Sequence, residues 1–235
     1  MHFNDTTLRT AVILPFLTLL LLSGCGESPT GPAGELVRPT IGSRYFFQKV
    51  EVEYEDGQVF DRDTTDYEAW VASMDTLEHY DDVYGFYAVE HGDTGLLMTM
   101  QYLDNGDVRH LRGTGPDHNY LYPYGGTGGV YYDTIDVHPY YFEHAARFER
   151  VEPVTVIGRS YEASVVSDIF VEFLHTGGHP SGIGVGGLKT SYYVPALGLP
   201  VIQRIEIGEV TEIGGERRVG EAYMISTITL LRIEE

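Results

Sequence analysis

The sequence is poor in cysteine and in basic residues. Its 235 residues include one cysteine, Cys25, so an intramolecular disulfide is excluded and the fold depends on its apolar core. The 15 Lys and Arg residues stand against 35 Asp and Glu, which gives a formal net charge of −20. A chain this acidic is repelled by nucleic acid and by anionic lipid head groups. We therefore predict no nucleic-acid partner.

The sequence also lacks an apolar run long enough to span a bilayer. Residues 11–22 are uncharged but number only twelve, whereas a transmembrane helix needs roughly 20. Their length is typical of the hydrophobic region of a signal peptide. Leu22-Ser23-Gly24-Cys25 follows and matches the bacterial lipobox, in which the cysteine thiol accepts a diacylglyceryl group. We predict that residues 1–24 are a cleaved lipoprotein signal peptide, and that Cys25 is lipidated and binds the membrane through two or more acyl chains.

Composition divides the remaining chain into a tether and a domain. Residues 25–40 are rich in Gly, Pro, Ser and Thr and indicate a flexible tether. Gly26 stands where retention in the inner membrane would favour Asp, which favours the outer membrane of the cell envelope. Residues 41–235 are expected to form a β-rich domain, with 41–115 and 145–235 as candidate halves. The Gly- and Tyr-rich segment between them is either a linker or an ordered excursion.

Alternation of apolar and polar residues predicts an all-β fold of antiparallel meander sheets. In Arg44–Tyr54, Val50, Val52 and Tyr54 alternate with charged residues, as in a half-buried strand. Gly-containing turns such as Glu55-Asp56-Gly57-Gln58 separate successive strands. The expected architecture is a curved half-barrel or two packed β halves, with bulges in the longest strands and at most one short helix, near Asp75–Tyr80.

The C-terminal part resembles a family of bacterial envelope lipoproteins. The similarity covers residues 145–235 and is most specific at Tyr192-Tyr193-Val194-Pro195-Ala196-Leu197-Gly198-Leu199, a Tyr-Tyr-x-Pro-x-x-Gly turn between two strands. The resemblance implies a β fold and an envelope location. It implies no reaction and no catalytic residue. From the turn itself we expect Tyr192 and Tyr193 to point to opposite faces, Pro195 to end the strand and Gly198 to adopt a positive φ.

Searches for catalytic and metal-binding patterns give weak candidates. Residues 182–190 are Gly-rich, but Leu188 separates the glycines from Lys189, so a hairpin loop is expected instead of a phosphate-binding loop. His175 and His179, and His138 and His144, have spacings that a metal site could use, although the glycines beside the first pair disfavour a helix. Residues 61–66 offer calcium-binding oxygens without the remainder of an EF-hand loop. We predict no enzyme activity, no cofactor and no metal site.

Aromatic residues are the remaining signal. Residues 120–142 contain seven tyrosines, at positions 120, 122, 124, 131, 132, 140 and 141. Tyr side chains combine an apolar face with a polar tip and suit recognition of sugars, peptides or proteins. The first five, Tyr120, Tyr122, Tyr124, Tyr131 and Tyr132, are a candidate ligand surface; alternatively, their rings cover an open face of the sheet.

Two functions remain open from the sequence. The first is a non-enzymatic envelope lipoprotein with a binding or structural role, whose partner is an envelope protein, a glycan or a lipid. The second is a carrier of lipid or acyl chains on a half-barrel sheet. Apolar residues around an open, unfilled concavity would favour the carrier, whereas a filled core would favour the binding module.

Overall fold

The structure, a computed structural model, is an antiparallel all-β fold, as the sequence predicts. It describes residues 36–77, 80–90, 93–111, 119–126, 130–137, 140–174, 184–213 and 216–234. These described residues form twelve strands and one 3₁₀ turn, Pro195–Leu197. The strands are β1 (Arg44–Glu55), β2 (Gln58–Leu77), β3 (Tyr80–Glu90), β4 (Asp93–Tyr102), β5 (Val108–Leu111), β6 (Asn119–Tyr122), β7 (Val130–Val137), β8 (Tyr140–Val156), β9 (Arg159–Leu174), β10 (Gly184–Val194), β11 (Leu199–Ile213) and β12 (Glu216–Glu234).

The strands form one continuous, strongly curved sheet. Its order is β6-β5-β4-β3-β2-β1-β12-β11-β10-β9-β8-β7. Strands that follow one another in the chain are paired, except that β6 and β7 are the two edges of the sheet, and β1 also pairs with β12. The two halves suggested by the sequence are thus joined through β1 and β12 into one sheet. The edge strand β6 lies close to β7 and β8, which makes the sheet nearly closed and barrel-like. Across the described residues, no helix is both long and apolar enough to cross a membrane.

Several turns have the backbone geometry that their glycines predict. Asp56 and Gly57 both have positive φ, 52° and 73°, and connect β1 to β2. Ile157 and Gly158, with φ of 47° and 73°, connect β8 to β9. Two consecutive residues with positive φ match the right-handed twist of antiparallel strands, which explains why these hairpins are tight.

The Tyr-Tyr-x-Pro-x-x-Gly turn also has the predicted conformation. Tyr193 is fully buried and Tyr192 is half-buried, and β10 ends at Val194, immediately before Pro195. Gly198 has φ of 68°, and its carbonyl accepts a 2.6 Å hydrogen bond from the Tyr102 hydroxyl.

The turn is covered by the N-terminal end of the domain. The Val37 N–H donates to the Pro195 carbonyl at 2.8 Å, and Arg38 forms a 3.1 Å ion pair with Asp82. Leu36 packs against the core. The predicted tether extends to residue 40, but its described part, residues 36–40, is held against the domain.

Three segments for which the sequence analysis considered other structures lie wholly or mostly in strands. Residues 75–77 belong to β2 and pair with β3 instead of forming a helix, because Leu77 is paired with Tyr80 in a hairpin. Most of the Gly-rich segment is strand β10 and not a hairpin loop. Residues 61–66, considered as a calcium loop, lie in β2.

Bulges occur where strands are long. β12 carries extra residues opposite both β1 and β11, as predicted. Where β9 pairs with β8, the extra residue lies on β8, between Phe148 and Arg150.

Candidate functional site

The sheet encloses a cavity of about 640 Å³ that is partly open to solvent. It is lined by residues from both ends of the sheet, namely β3–β6 on one side and β8–β11 on the other. Because β6 and β8 approach each other only after the sheet has curled, these residues are far apart in sequence. Much of the wall is apolar and includes Leu97, Met98, Phe142, Phe170 and Ile205.

A buried carboxylate, Asp168, is the centre of the polar part of the wall. Alternation along β9 places Val166, Asp168 and Phe170 on the same face, so Asp168 points inward between two apolar residues. Its Oδ2 accepts a 3.1 Å hydrogen bond from the Tyr122 hydroxyl, and its Oδ1 lies 3.0 Å from Nδ1 of His144. Asp168 is 4 % exposed, and these contacts provide the partners that a buried carboxylate requires.

His144 lines the cavity and has one ring nitrogen that Asp168 does not contact. Its side chain is 4 % exposed, and the Tyr120 ring meets its imidazole edge-on with 4.3 Å between centroids. Nε2 of His144 is buried and has no hydrogen-bond partner among the described residues. An unsatisfied buried polar atom is costly, so the unpaired Nε2 offsets part of the stability that the contact of Nδ1 with Asp168 provides.

Lys189 completes the cluster from β10. Its ammonium donates to the Tyr122 hydroxyl at 3.1 Å and lies 4.4 Å from the centroid of the same ring, a cation–π distance. Lys189 pairs with Asp168 in the β9–β10 register, which places the two charged residues on neighbouring strands and on the same face. We call Tyr122, His144, Asp168 and Lys189 the polar cluster.

Glycines allow β10 to carry Lys189 into this position. A Cβ added to Gly187 would lie 1.7 Å from the Glu206 carbonyl oxygen of β11, and one added to Gly186 would lie 2.6 Å from the Val210 side chain. Neither position can hold a larger residue unless the strands move apart. The glycines therefore serve close strand packing, not phosphate binding.

Stacked tyrosines lie next to the polar cluster in the core. Tyr124 stacks on Tyr122 and on Tyr193, with centroid distances of 5.6 and 4.2 Å. Burial raises the pKa of Tyr124, and also raises the pKa values of Tyr102 and Tyr193 well above 10. These phenols consequently stay neutral and form a rigid support for the cavity wall.

The five tyrosines of the predicted ligand surface have separate locations. Tyr120 and Tyr122 line the cavity, whereas Tyr124 is fully buried in the core. The Tyr131 hydroxyl donates to Asp107 at 2.8 Å and so connects β7 to the turn between β4 and β5. The side chain of Tyr132 lies outside the described residues, as does Cys25. A role in ligand binding stays a prediction for all five tyrosines, although Tyr120 and Tyr122 could exercise it only inside the cavity.

The metal candidates are not assembled in the described structure. His138, His175 and His179 lie outside the described residues, and His144 contacts Asp168. No group of three or more candidate ligand residues that could hold a metal ion occurs in the described part of the chain.

Sequence analysis overlooked the polar cluster apart from Tyr122 and the spacing of His144. One signal was present, because Asp168 interrupts the apolar face of a strand whose neighbours on that face are Val166 and Phe170. A single carboxylate at an inward position indicates a buried hydrogen-bond network. The partners of Asp168 could not be identified without the register of the closed sheet.

Comparisons with known proteins give two structural similarities. One is to a "putative exported protein with YmcC-like fold" from Bacteroides fragilis, with a TM-score of 0.46 and 13% identity over 86% of this chain and 99% of that one. The other is to a "putative lipoprotein" from Parabacteroides distasonis, with a TM-score of 0.47 and 13% identity over 87% of this chain and 97% of that one. No family model and no curated protein matches the chain.

Proposed function

We propose that this chain is a lipid-anchored protein of the cell envelope that carries a small amphipathic molecule inside its curved sheet. The observation that carries the proposal is the open cavity of about 640 Å³ between the two ends of the sheet. Sites for small ligands in proteins have volumes of roughly 300–1,000 Å³ and combine apolar walls with a few polar groups. An unfilled concavity of this kind favours the carrier over a binding module with a filled core.

The apolar wall supports an aliphatic portion in the ligand. Leu97, Met98, Phe142, Phe170 and Ile205 border the space, and Leu97 is 43 % exposed. Covering apolar surface of this kind stabilises a complex by roughly 25 cal/mol per Å² removed from water. An aliphatic chain placed along these side chains would supply that coverage.

The polar cluster supports binding in preference to catalysis. Tyr122 and His144 both hydrogen-bond to Asp168, so the carboxylate holds these two side chains in place. Among the described residues that line the cavity there is no serine or cysteine for His144 to activate as a nucleophile. Turnover of the bound molecule would instead support an enzyme.

The envelope location rests on the sequence of the N-terminal region. The lipobox ending in Cys25 and the short apolar run before it are typical of a lipid-anchored protein. Anchoring would hold the cavity at a membrane surface, where amphipathic molecules are concentrated.

Photo-crosslinking of the full chain in native membranes tests the proposal. An aliphatic diazirine without a polar head should label inward residues of β8 and β9, such as Phe142 and Phe170, as mapped by mass spectrometry of the peptides. Ile205→Trp places a larger side chain at the cavity wall and should reduce this labelling several-fold.

Ile169→Trp is the matched control, because Ile169 is 56 % exposed on β9. It should leave labelling of the cavity unchanged. Labelling spread evenly over the outer surface, or equal labelling of wild type and Ile205→Trp, would contradict the proposal.

A further inference from the structure

We infer that side-chain contacts between the two ends of the sheet act as a latch, and that closing the latch and filling the cavity stabilise each other. The latch consists of Tyr122 with its partners Asp168 and Lys189, and of the hydrogen bond between Tyr131 and Asp107. The inference rests on the proposed function and adds a conformational control of the same cavity.

Backbone pairing does not close the sheet in the described part of the chain. β6 and β7 are its two edges, and no described strand pairing joins β6 to β7 or β8. We call the gap between β6 and β8 the seam. Only full closure by backbone hydrogen bonds removes the edges of a sheet. On one side of the seam β5 and β6 have four residues each, whereas β8 and β9 on the other have 17 and 16, so the shorter side is held by fewer backbone hydrogen bonds.

Side chains bridge the seam instead. The Tyr122 hydroxyl of β6 donates to Asp168 of β9 at 3.1 Å and accepts from Lys189 of β10 at 3.1 Å. Asp168 is buried, so loss of this hydroxyl would leave a buried carboxylate with one partner fewer. Water replaces that partner only if the seam opens. Removal of the hydroxyl therefore favours the open form.

A second contact attaches the edge strand β7. The Tyr131 hydroxyl donates to Oδ2 of Asp107 at 2.8 Å. Asp107 is fully buried and is held by the Asn105 amide and the Gly125 N–H, which donate to it at 2.8 and 2.9 Å. Tyr131 thus connects β7 to the turn between β4 and β5, on the β6 side of the seam.

The cavity lies between the two sides that the latch connects. Its wall includes Tyr120 and Tyr122 from β6, and Phe142 and Phe170 from β8 and β9. A ligand that fills the space contacts both sides and loses contacts when the seam opens. A ligand that binds one of two forms shifts the equilibrium toward that form, and the coupling is reciprocal.

Thiol modification beside the seam tests the inference. Ala146 of β8 is fully buried, pairs with Asp168 and lies outside the cavity wall, so Ala146→Cys places a thiol that reagents reach only when the structure opens. The full chain in open membrane fragments is treated with a charged methanethiosulfonate, and mass spectrometry of the peptides gives the modification rate. Ala69→Cys is the matched control, because Ala69 is similarly buried on β2, away from the seam.

Tyr122→Phe keeps the ring and removes the hydroxyl. It should raise the modification rate of Ala146→Cys about tenfold and leave that of Ala69→Cys unchanged. Tyr193→Phe should change neither rate, because the Tyr193 hydroxyl has no hydrogen-bond partner among the described residues. Circular dichroism shows whether Tyr122→Phe folds; if it does not, Tyr131→Phe, at a half-buried position, decides by a several-fold rise at Ala146→Cys.

The aliphatic diazirine, kept in the dark, tests the coupling to the cavity. At roughly ten times the concentration that half-saturates cavity labelling, it should slow modification of Ala146→Cys about tenfold, as expected for a ligand that binds only the closed form.

The outcomes separate the two proposals. Equal modification rates in Tyr122→Phe and Tyr193→Phe would overturn the latch, and cavity labelling without slower modification would overturn the coupling; both results leave the carrier function in place. Absence of cavity labelling by the diazirine would overturn the carrier function and the coupling together.

Discussion

At the scale of single residues, two features of the structure require glycine at position 198, namely a positive φ and a close backbone contact. Its φ of 68° lies in the region that side chains disfavour, and a Cβ there would lie 2.2 Å from the Val37 carbonyl oxygen. The sequence could predict the first constraint because Gly follows a Pro-containing turn. It could not predict the second, since residue 37 is distant in sequence and its contact depends on the tertiary fold.

We expect Gly198→Ala to lower the thermal midpoint of unfolding by several degrees. The strained φ alone costs roughly 1 kcal/mol, and the contact with Val37 adds to it. Gly158→Ala is a matched control, because Gly158 has a similar φ of 73° but nothing within 4 Å of the added Cβ. Circular dichroism melts should show the larger loss for Gly198→Ala; equal losses would mean that the Val37 contact contributes nothing.

The contacts within the polar cluster could not be predicted from single residues or their spacing in the sequence. Tyr122 was identified because it lies in a tyrosine-rich segment, and His144 because of its spacing from His138. Their common partner Asp168 and the more distant Lys189 are brought together only by the closure of the sheet. A candidate site of this kind depends on strand order, which no local sequence pattern contains.

At the scale of elements, clear alternation gave reliable predictions. Arg44–Tyr54 was predicted as a strand and β1 spans Arg44–Glu55, because its apolar residues alternate with charged ones. The first part of β2 has no such pattern, because residues 61–66 are acidic and polar and have no buried face. It forms a strand there because it pairs with β1 along its length, a tertiary effect that outweighs local preference.

Strand β10 was misjudged for the opposite reason. Glycines normally weaken a strand, so the Gly-rich segment indicated a loop. In the structure, Gly186 and Gly187 lie where neighbouring strands approach too closely for a side chain. The absence of a side chain, which disfavours glycine in an isolated strand, is what the close strand packing at Gly186 and Gly187 requires.

We expect Gly187→Ala to destabilise the protein by about 1–3 kcal/mol, because the added methyl group would overlap the Glu206 carbonyl and push β10 away from β11. Gly95→Ala is the control within a strand, since a Cβ at Gly95 meets nothing within 4 Å. Denaturant unfolding monitored by fluorescence measures both variants. A loss for Gly187→Ala no greater than that for Gly95→Ala would contradict the close-packing explanation.

At the scale of the whole molecule, the sequence predicted the fold class and left two architectures open, a curved half-barrel or two packed β halves. It did not predict that one sheet runs through the whole domain. The candidate halves are joined because β1 pairs with β12, and the Gly- and Tyr-rich segment contributes edge strands β6 and β7 to the same sheet. The pairing of β1 with β12 depends on residues at opposite ends of the domain. Turns between consecutive strands predict only pairs of consecutive strands, so they could not predict that β1 pairs with β12.

The proposed membrane attachment also concerns the whole molecule, and Cys25→Ala tests it. We expect the variant to remain uncleaved at residue 25 and to incorporate no labelled fatty acid, because the thiol that accepts the lipid is absent. Gly26→Ala, which keeps the thiol, should be lipidated normally. Intact mass and metabolic labelling measure both properties. Normal maturation of the Cys25→Ala variant would contradict the lipid anchor.

The pairing of β1 with β12 has a consequence for how the protein is made. Ribosomes deliver β1 first and β12 last, so β1 has only β2 beside it until synthesis of the final strand is complete. Until then one long edge of β1 offers unpaired N–H and C=O groups, the feature by which strands from separate chains join into aggregates. Pairing β1 with β12 brings together Arg44 and Glu234, and contacts between residues so far apart in sequence are typical of slow folding. The nascent chain is therefore most in need of a chaperone during the interval between the emergence of its first strand and its last.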